Sequence, residues 1–229
     1  MNKTNLERIL GGVVTASIPI VICVLSILIL LSPIFMNLEY RLPNFPEDQY
    51  GFSTEERLDF GNRTRRYLIT NATLDNLREL KFDSGEPIYI ERELEHLEDV
   101  KIVLQGVFKV FWGAVAVLVL GGVYARFQNW WEGYSQSVSR GGWLTAGLLG
   151  IILFLAIVSF RSLFTNFHLI FFEGDSWLFL YSDTLIRLFP IRFWQDVFLV
   201  FGITTLTGGI LLGWLLARKT RTLPSPLSK

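Results

Sequence analysis

Histidine and cysteine are scarce in this chain, with only His96 and His168 of the first and Cys23 of the second among 229 residues. A lone cysteine excludes an internal disulfide framework and a cysteine-based zinc ribbon. Any histidine chemistry must use one or both of His96 and His168. Charge is scarce too: 18% of residues are charged, 21 basic against 21 acidic. A nucleic-acid binder needs a Lys/Arg surplus to neutralise phosphates, so zero net charge argues against that partner. In place of charge stands apolar content of 51%, too high for an ordinary soluble domain.

Residues Ile9 to Leu38 carry no charge. Residues 10–32 are long enough to cross a hydrocarbon layer of ~30 Å as a helix. The run exceeds a signal-peptide core and ends in Ser32-Pro33-Ile34 without a small-x-small cleavage site, so it reads as an anchor. Ile22 before Cys23 is not the small residue that lipoprotein processing needs, and Cys23 reads as a small apolar filler. Three further runs follow at 102–125, 141–160 and 197–217, each bounded by charge. The expected fold is all-α and polytopic, with four transmembrane helices and a small helical cap. Lys109 is the one charge in the later runs and lies near its helix end, where it can snorkel, so no mid-membrane relay of a pump or transporter is in view.

The short flanks set the expected orientation. Residues 1–9 hold Lys3 and Arg8, the turn at 126–140 holds Arg126 and Arg140, and the tail at 218–229 holds Arg218, Lys219, Arg221 and Lys229. By the positive-inside rule these three face the cytoplasm. Residues 33–101 and 161–196 then face outward, and both histidines fall on that side.

Residues 33–101 are too long for a connector and should form the cap. Ser53-Thr54-Glu55-Glu56 has capping-box spacing before a helix reaching Ile69, which Gly61 weakens. A short helix over Thr73 to Leu80 and a turn at Asp83-Ser84-Gly85-Glu86-Pro87 follow. From about Ile90, one helix runs into the second span. Arg92, Glu93, His96 and Asp99 share a face on it by i+3 and i+4 spacing, and His96 stands roughly 10 Å before Val103. If the third helix continues, His168 lies at similar depth. Residues 161–196 are rich in aromatics and should lie in the membrane interface, where Asp183 can cap a short helix ending at Pro190.

The segments Glu91-Arg92-Glu93-Leu94-Glu95-His96-Leu97-Glu98-Asp99-Val100-Lys101, Phe167-His168-Leu169-Ile170-Phe171-Phe172-Glu173-Gly174-Asp175-Ser176-Trp177-Leu178-Phe179 and Leu185-Ile186-Arg187-Leu188-Phe189-Pro190 resemble the lipoprotein intramolecular transacylase (Lit) family of bacterial membrane proteins. The resemblance spans most of the chain. It implies a plasma-membrane acyltransferase that moves the sn-2 acyl chain of a diacylglyceryl lipoprotein to the α-amine of its N-terminal cysteine, giving the lyso form. It places the active-site histidines at His96 and His168. Leu180 and Ile191 stand where the family pattern leads one to expect acids.

Such a transfer needs no Ser or Cys nucleophile and no cofactor, because ester-to-amide conversion is downhill and bound geometry supplies proximity. It needs a base for the amine, an acid for the departing glycerol oxygen and a donor for the oxyanion. An α-amine with pKa near 8 and an imidazole with pKa near 6.5 suit one another. One histidine is expected as base and the other as acid or oxyanion donor, with the order left open. Glu93 or Asp99 can fix the His96 tautomer, Arg92 can donate to an oxyanion or a phosphate, and Asp175 and Trp177 can shape the opposite wall. The expected partners are a diacylglyceryl lipoprotein N-terminus and membrane lipid. Two other readings fit the residues. One is a non-enzymatic scaffold or lipid-binding protein. The other is a zinc-dependent membrane hydrolase holding its ion on His96, Glu93, Asp99 and His168, whose spacing matches no HExxH pattern. Gly209-Ile210-Leu211-Leu212-Gly213 is a GxxxG match suited to packing one span on another.

Overall fold

The computed structural model describes residues 3–172 and 174–221. Glu173 of the second motif block, Lys229 of the basic tail and the first two residues lie outside the described residues. The helices are α1 (Lys3–Leu30), α2 (Pro33–Glu39), α3 (Thr54–Ile69), α4 (Asp75–Arg78), α5 (Glu91–Phe127), α6 (Trp131–Phe171), α7 (Thr184–Leu188) and α8 (Ile191–Arg221). No strand occurs among the described residues. Four of the helices, α1, α5, α6 and α8, are long and apolar enough to cross a membrane, matching the four expected spans.

The chain divides into two compact units, the first made of Met1–Ile27, Phe108–Phe154 and Phe201–Lys229. Its surface is apolar outward, with Leu120, Ile151 and Phe154 exposed. That arrangement costs free energy in water and none in lipid. Inside, small and hydroxylated residues take the place of a large apolar core, because hydrocarbon tails are as apolar as Leu and close backbone approach must supply the attraction. Val14, Ile18 and Val138 form a small buried cluster. Thr205 Oγ1 donates to Ser26 Oγ at 2.8 Å, and Ser139 Oγ donates to the Gly213 carbonyl at 2.7 Å.

The GxxxG pair of α8 sits on α6 at Gly142. A Cβ on Gly142 would lie 2.6 Å from the Gly213 nitrogen and 2.7 Å from the Gly209 oxygen, both backbone atoms that cannot step aside. Gly142→Ala is therefore expected to lower stability by about 1–3 kcal/mol through overpacking. Gly147→Ala on the same helix has open space around the new methyl and should be neutral or stabilising, since alanine is the better helix former. Thermal unfolding of the two variants in one detergent checks the contrast, and equal midpoints would remove the close-packing account.

The second unit comprises Leu28–Val107 and Leu155–Val200. Its main core joins Phe52, Tyr67, Leu77, Ile88, Leu94, Leu97, Leu185 and Leu188. The expected capping box is formed: the Glu56 N–H donates to Ser53 Oγ at 3.2 Å and the Ser53 N–H to Glu56 Oε2 at 2.8 Å. Gly61 has a packing reason, because a Cβ there would come within 2.8 Å of Met36 Cε on α2. The turn after α4 closes as expected, with Gly85 at φ +87° and the Phe82 N–H bonded to the Glu86 carbonyl at 2.8 Å. The short helix before it covers only Asp75–Arg78, because Thr73 and Asn76 bond each other and Leu74 offers no side-chain cap.

Two features differ from expectation. First, α6 continues to His168 but breaks at Ser159, whose φ of −158° and ψ of 91° are not helical. Ser159 Oγ accepts from the Ser162 N–H at 3.3 Å, so this serine caps a new helical segment that carries His168. Second, Asp183 occupies the N-cap position of α7 without capping it with its side chain. Its carboxylate instead accepts from the Leu180 N–H at 2.8 Å and from Arg92 at 3.0 Å.

Candidate active site

His96 and His168 are both buried, and their ring centroids lie 6.2 Å apart at an interplanar angle of 19°. Two chain features make the meeting possible. Helix α5 begins at Glu91, so His96 is already in regular helix five residues later. The cap at Ser159 starts the segment that presents His168.

Aromatic rings pack around the pair. Phe172 and Phe179 meet His96 edge-on at 4.9 and 5.4 Å. Phe164 and Trp177 lie 4.3 and 4.8 Å from His168. Desolvation disfavours the charged form of an imidazole. Burial and the neighbouring His168 hold His96 down at about 4, and burial lowers His168 from its ordinary value. Both rings, which lie outside the apolar stretches 102–125 and 141–160, are therefore neutral near pH 7.

One hydrogen bond distinguishes the two histidines. His168 Nδ1 lies 2.8 Å from the Phe164 carbonyl oxygen. A carbonyl only accepts, so Nδ1 carries the proton and Nε2 presents a lone pair. His96 Nδ1 is buried with no hydrogen-bond partner among the described residues.

The remaining expected site residues divide. Trp177 is at the pocket, against His168. Glu93, almost fully buried, does not orient His96. Its Oε1 accepts from the Leu185 N–H at 2.6 Å and its Oε2 from the Ile90 N–H at 2.9 Å. One carboxylate thus caps the starts of both α7 and α5, which is why α7 needs no help from the Asp183 side chain. Burial raises the Glu93 carboxyl above its ordinary value, and the two backbone bonds oppose that shift. Arg92 pairs with Asp183 and lies over the Phe179 ring at 5.3 Å, so its charge is engaged away from the histidines. Asp99 and Asp175 are exposed, and Asp175 contributes only its carbonyl, which accepts from the Leu178 N–H at 2.9 Å. The zinc-shell reading consequently loses two donors: Glu93 is occupied and Asp99 faces out. Among the described residues no group of three or more His, Cys, Asp or Glu side chains is placed to share an ion.

Sequence reasoning missed Glu93's partner and the Thr184 hydroxyl, which donates to the Ile88 carbonyl beside it. A glutamate in the third position of α5 signals half of this arrangement, the bond back to Ile90.

Fold and site together define a helical membrane-integral protein with a buried histidine pair packed among aromatic rings. The family model described as "Lipoprotein intramolecular transacylase Lit" matches residues 12–194. An uncharacterized protein of Aquifex aeolicus (strain VF5) is 30% identical over 213 residues, covering 90% of this chain and 93% of that protein. The in meso structure of the membrane-integral lipoprotein intramolecular transacylase Lit of Bacillus cereus superposes with a TM-score of 0.80 at 21% identity, covering 96% of this chain and all of that one. A form of that protein with one histidine replaced by arginine gives a TM-score of 0.74 over 96% of this chain and 95% of its own. The chain belongs to the lipoprotein intramolecular transacylase family, and its activity is that of an acyltransferase.

Proposed function

We propose that the protein moves the sn-2 acyl chain of a diacylglyceryl lipoprotein to the α-amine of the N-terminal cysteine, with His96 and His168 as the working pair at the outer face of the bacterial plasma membrane. The observation that supports this reading is the meeting of the chain's two buried histidines, with the His168 Nδ1 bond to the Phe164 carbonyl leaving Nε2 free to accept a proton.

In the first step the amine nitrogen bonds the sn-2 carbonyl carbon, the carbonyl electrons move onto oxygen, and His168 Nε2 takes the amine proton. In the second, the bond from that carbon to the glyceryl oxygen breaks and His168 returns the proton to the departing oxygen. His96, held neutral, donates a hydrogen bond to that oxygen. The products are an amide and a free sn-2 hydroxyl, with one proton moved from nitrogen to oxygen and no covalent enzyme intermediate. The aromatic walls exclude water, which would otherwise hydrolyse the ester.

Both termini and the turn between α5 and α6 belong in the cytoplasm on this reading, supported by the basic residues Lys3, Arg8, Arg126 and Arg140. Mass spectrometry of lipoprotein N-termini, from a host that lacks other N-acylation and expresses this protein, should find N-acyl, S-monoacylglyceryl cysteine. Recovery of diacylglyceryl cysteine alone would end the proposal.

A further inference from the structure

Among the described residues, five buried side-chain polar atoms have no hydrogen-bond partner: Glu39 Oε1, Arg57 Nε, His96 Nδ1, Ser176 Oγ and Trp177 Nε1. One belongs to the histidine pair and two to the adjacent residues Ser176 and Trp177. Buried polar atoms are normally paired, so unpaired ones on His96 and on Trp177, whose ring lies against His168, need a reason. Local structure holds these donors in place. Gly174 turns the chain at φ +67°, the Leu178 N–H closes a turn on the Asp175 carbonyl at 2.9 Å, and the Trp177 ring lies against His168 at 4.8 Å and 32°.

Resting on the reading above, the reaction leaves one charge unassigned. His168 handles the amine proton and His96 faces the leaving oxygen, while Arg92 is paired with Asp183. The sn-2 carbonyl oxygen, which becomes an oxyanion when nitrogen attacks, has no donor in that scheme. An indole N–H can only donate, and a dry pocket makes a fixed donor far more effective than water. The geometry points to Trp177 Nε1–H as the oxyanion donor of the acyl transfer, with the Ser176 hydroxyl as a second donor next to it in the chain. The carbonyl oxygen accepts from these groups as the carbon–nitrogen bond forms and releases them when the carbonyl is restored in the amide. No proton leaves either residue.

The test separates the N–H from the ring that bears it. Trp177→Phe keeps an aromatic face and loses the donor. A tryptophan isostere with sulfur in place of the indole N–H, installed at position 177, keeps the shape as well and covers a Phe variant that fails to fold. With a synthetic diacylglyceryl lipopeptide, both should lower kcat by about 10²–10³-fold with KM within about threefold. A phosphonate analogue of the tetrahedral intermediate should lose affinity by a similar factor, while the ground-state lipopeptide and the pH profile stay as in the parent. Ser176→Ala should show the same pattern with a smaller loss. A residue that only packed would weaken substrate and analogue alike. An isostere protein with kcat within threefold of the parent, or equal losses for substrate and analogue, overturns the assignment. Wild-type protein that forms no N-acyl product overturns the functional reading itself.

Discussion

His168→Ala is expected to lower kcat by about 10³–10⁴-fold and His96→Ala by about 10²–10³-fold, the range that a positioned acid–base group contributes. The difference follows from their hydrogen bonds. His168 is fixed by the Phe164 carbonyl with its Nε2 lone pair free to accept, so its loss leaves the amine without a base. On the proposed mechanism His96 only donates toward the departing oxygen, so water entering the space left by its ring would restore part of that bond. Added imidazole should recover some activity in His168→Ala and little in His96→Ala. The pH dependence gives a second check. A lowered pKa keeps an imidazole neutral further into acid, so the histidine limb of kcat/KM must lie below pH 6.5. The rise above it belongs to the substrate amine, with pKa near 8. A histidine limb above pH 6.5 contradicts the buried neutral pair. If both alanine variants keep more than a tenth of the parent rate, the catalytic assignment is wrong even where the product forms.

Local signals carried much of this arrangement in the sequence. The run Glu91 to Lys101 is helix-prone and abuts an apolar stretch, so the continuity of α5 through His96 follows from propensity alone. Ser53 and Glu56 announce the start of α3 in the same way. What failed were the steps that depend on residues distant in the chain. Glu93 was a natural partner for His96, three residues on, yet its carboxylate is taken by Leu185, 92 residues away. A carboxyl acceptor goes to backbone N–H groups that have no alternative; the Ile90 N–H is local, but nothing near Glu93 in the chain reports the buried Leu185 N–H. Ser159 breaks α6 without proline or glycine, because its hydroxyl offers a competing local bond, a choice propensity does not decide. The hydrophobic pattern places His168 near the right depth, but the angle of its approach to His96 is set at that break.

Glu93→Ala is expected to destabilise the protein by about 1.5–4.5 kcal/mol, because it strands the buried Leu185 N–H at a cost of about 1–3 kcal/mol and removes the bond to the more exposed Ile90 N–H, which contributes about 0.5–1.5 kcal/mol. Charge pairing does not decide this region. The Arg92–Asp183 pair is 3.0 Å long, but Arg92 is 43% exposed, and such pairs contribute about 0–1 kcal/mol. Arg92→Ala should therefore be nearly silent in thermal unfolding where Glu93→Ala is not. Glu93→Gln falls between them, since its amide offers one acceptor and turns a second donor toward a backbone N–H that already needs an acceptor. The sign of the pH effect follows from the raised carboxyl. A raised folded value favours the protonated form, so this group's contribution is greatest below pH 4.5 and declines as pH rises through that raised value. Glu93→Ala abolishes that slope. The same substitution reaches the chemistry at a distance, because Leu185 and Leu188 of α7 share one packed cluster with Leu94 and Leu97, on either side of His96, and with Phe179. Loss of the carboxylate should loosen that wall and lower kcat/KM by roughly tenfold or more, about 1.4 kcal/mol per decade, without moving the histidine limb of the pH profile. Unfolding midpoints for Arg92→Ala, Glu93→Gln and Glu93→Ala that fail to fall in that order would show that this double cap does not hold the pocket together.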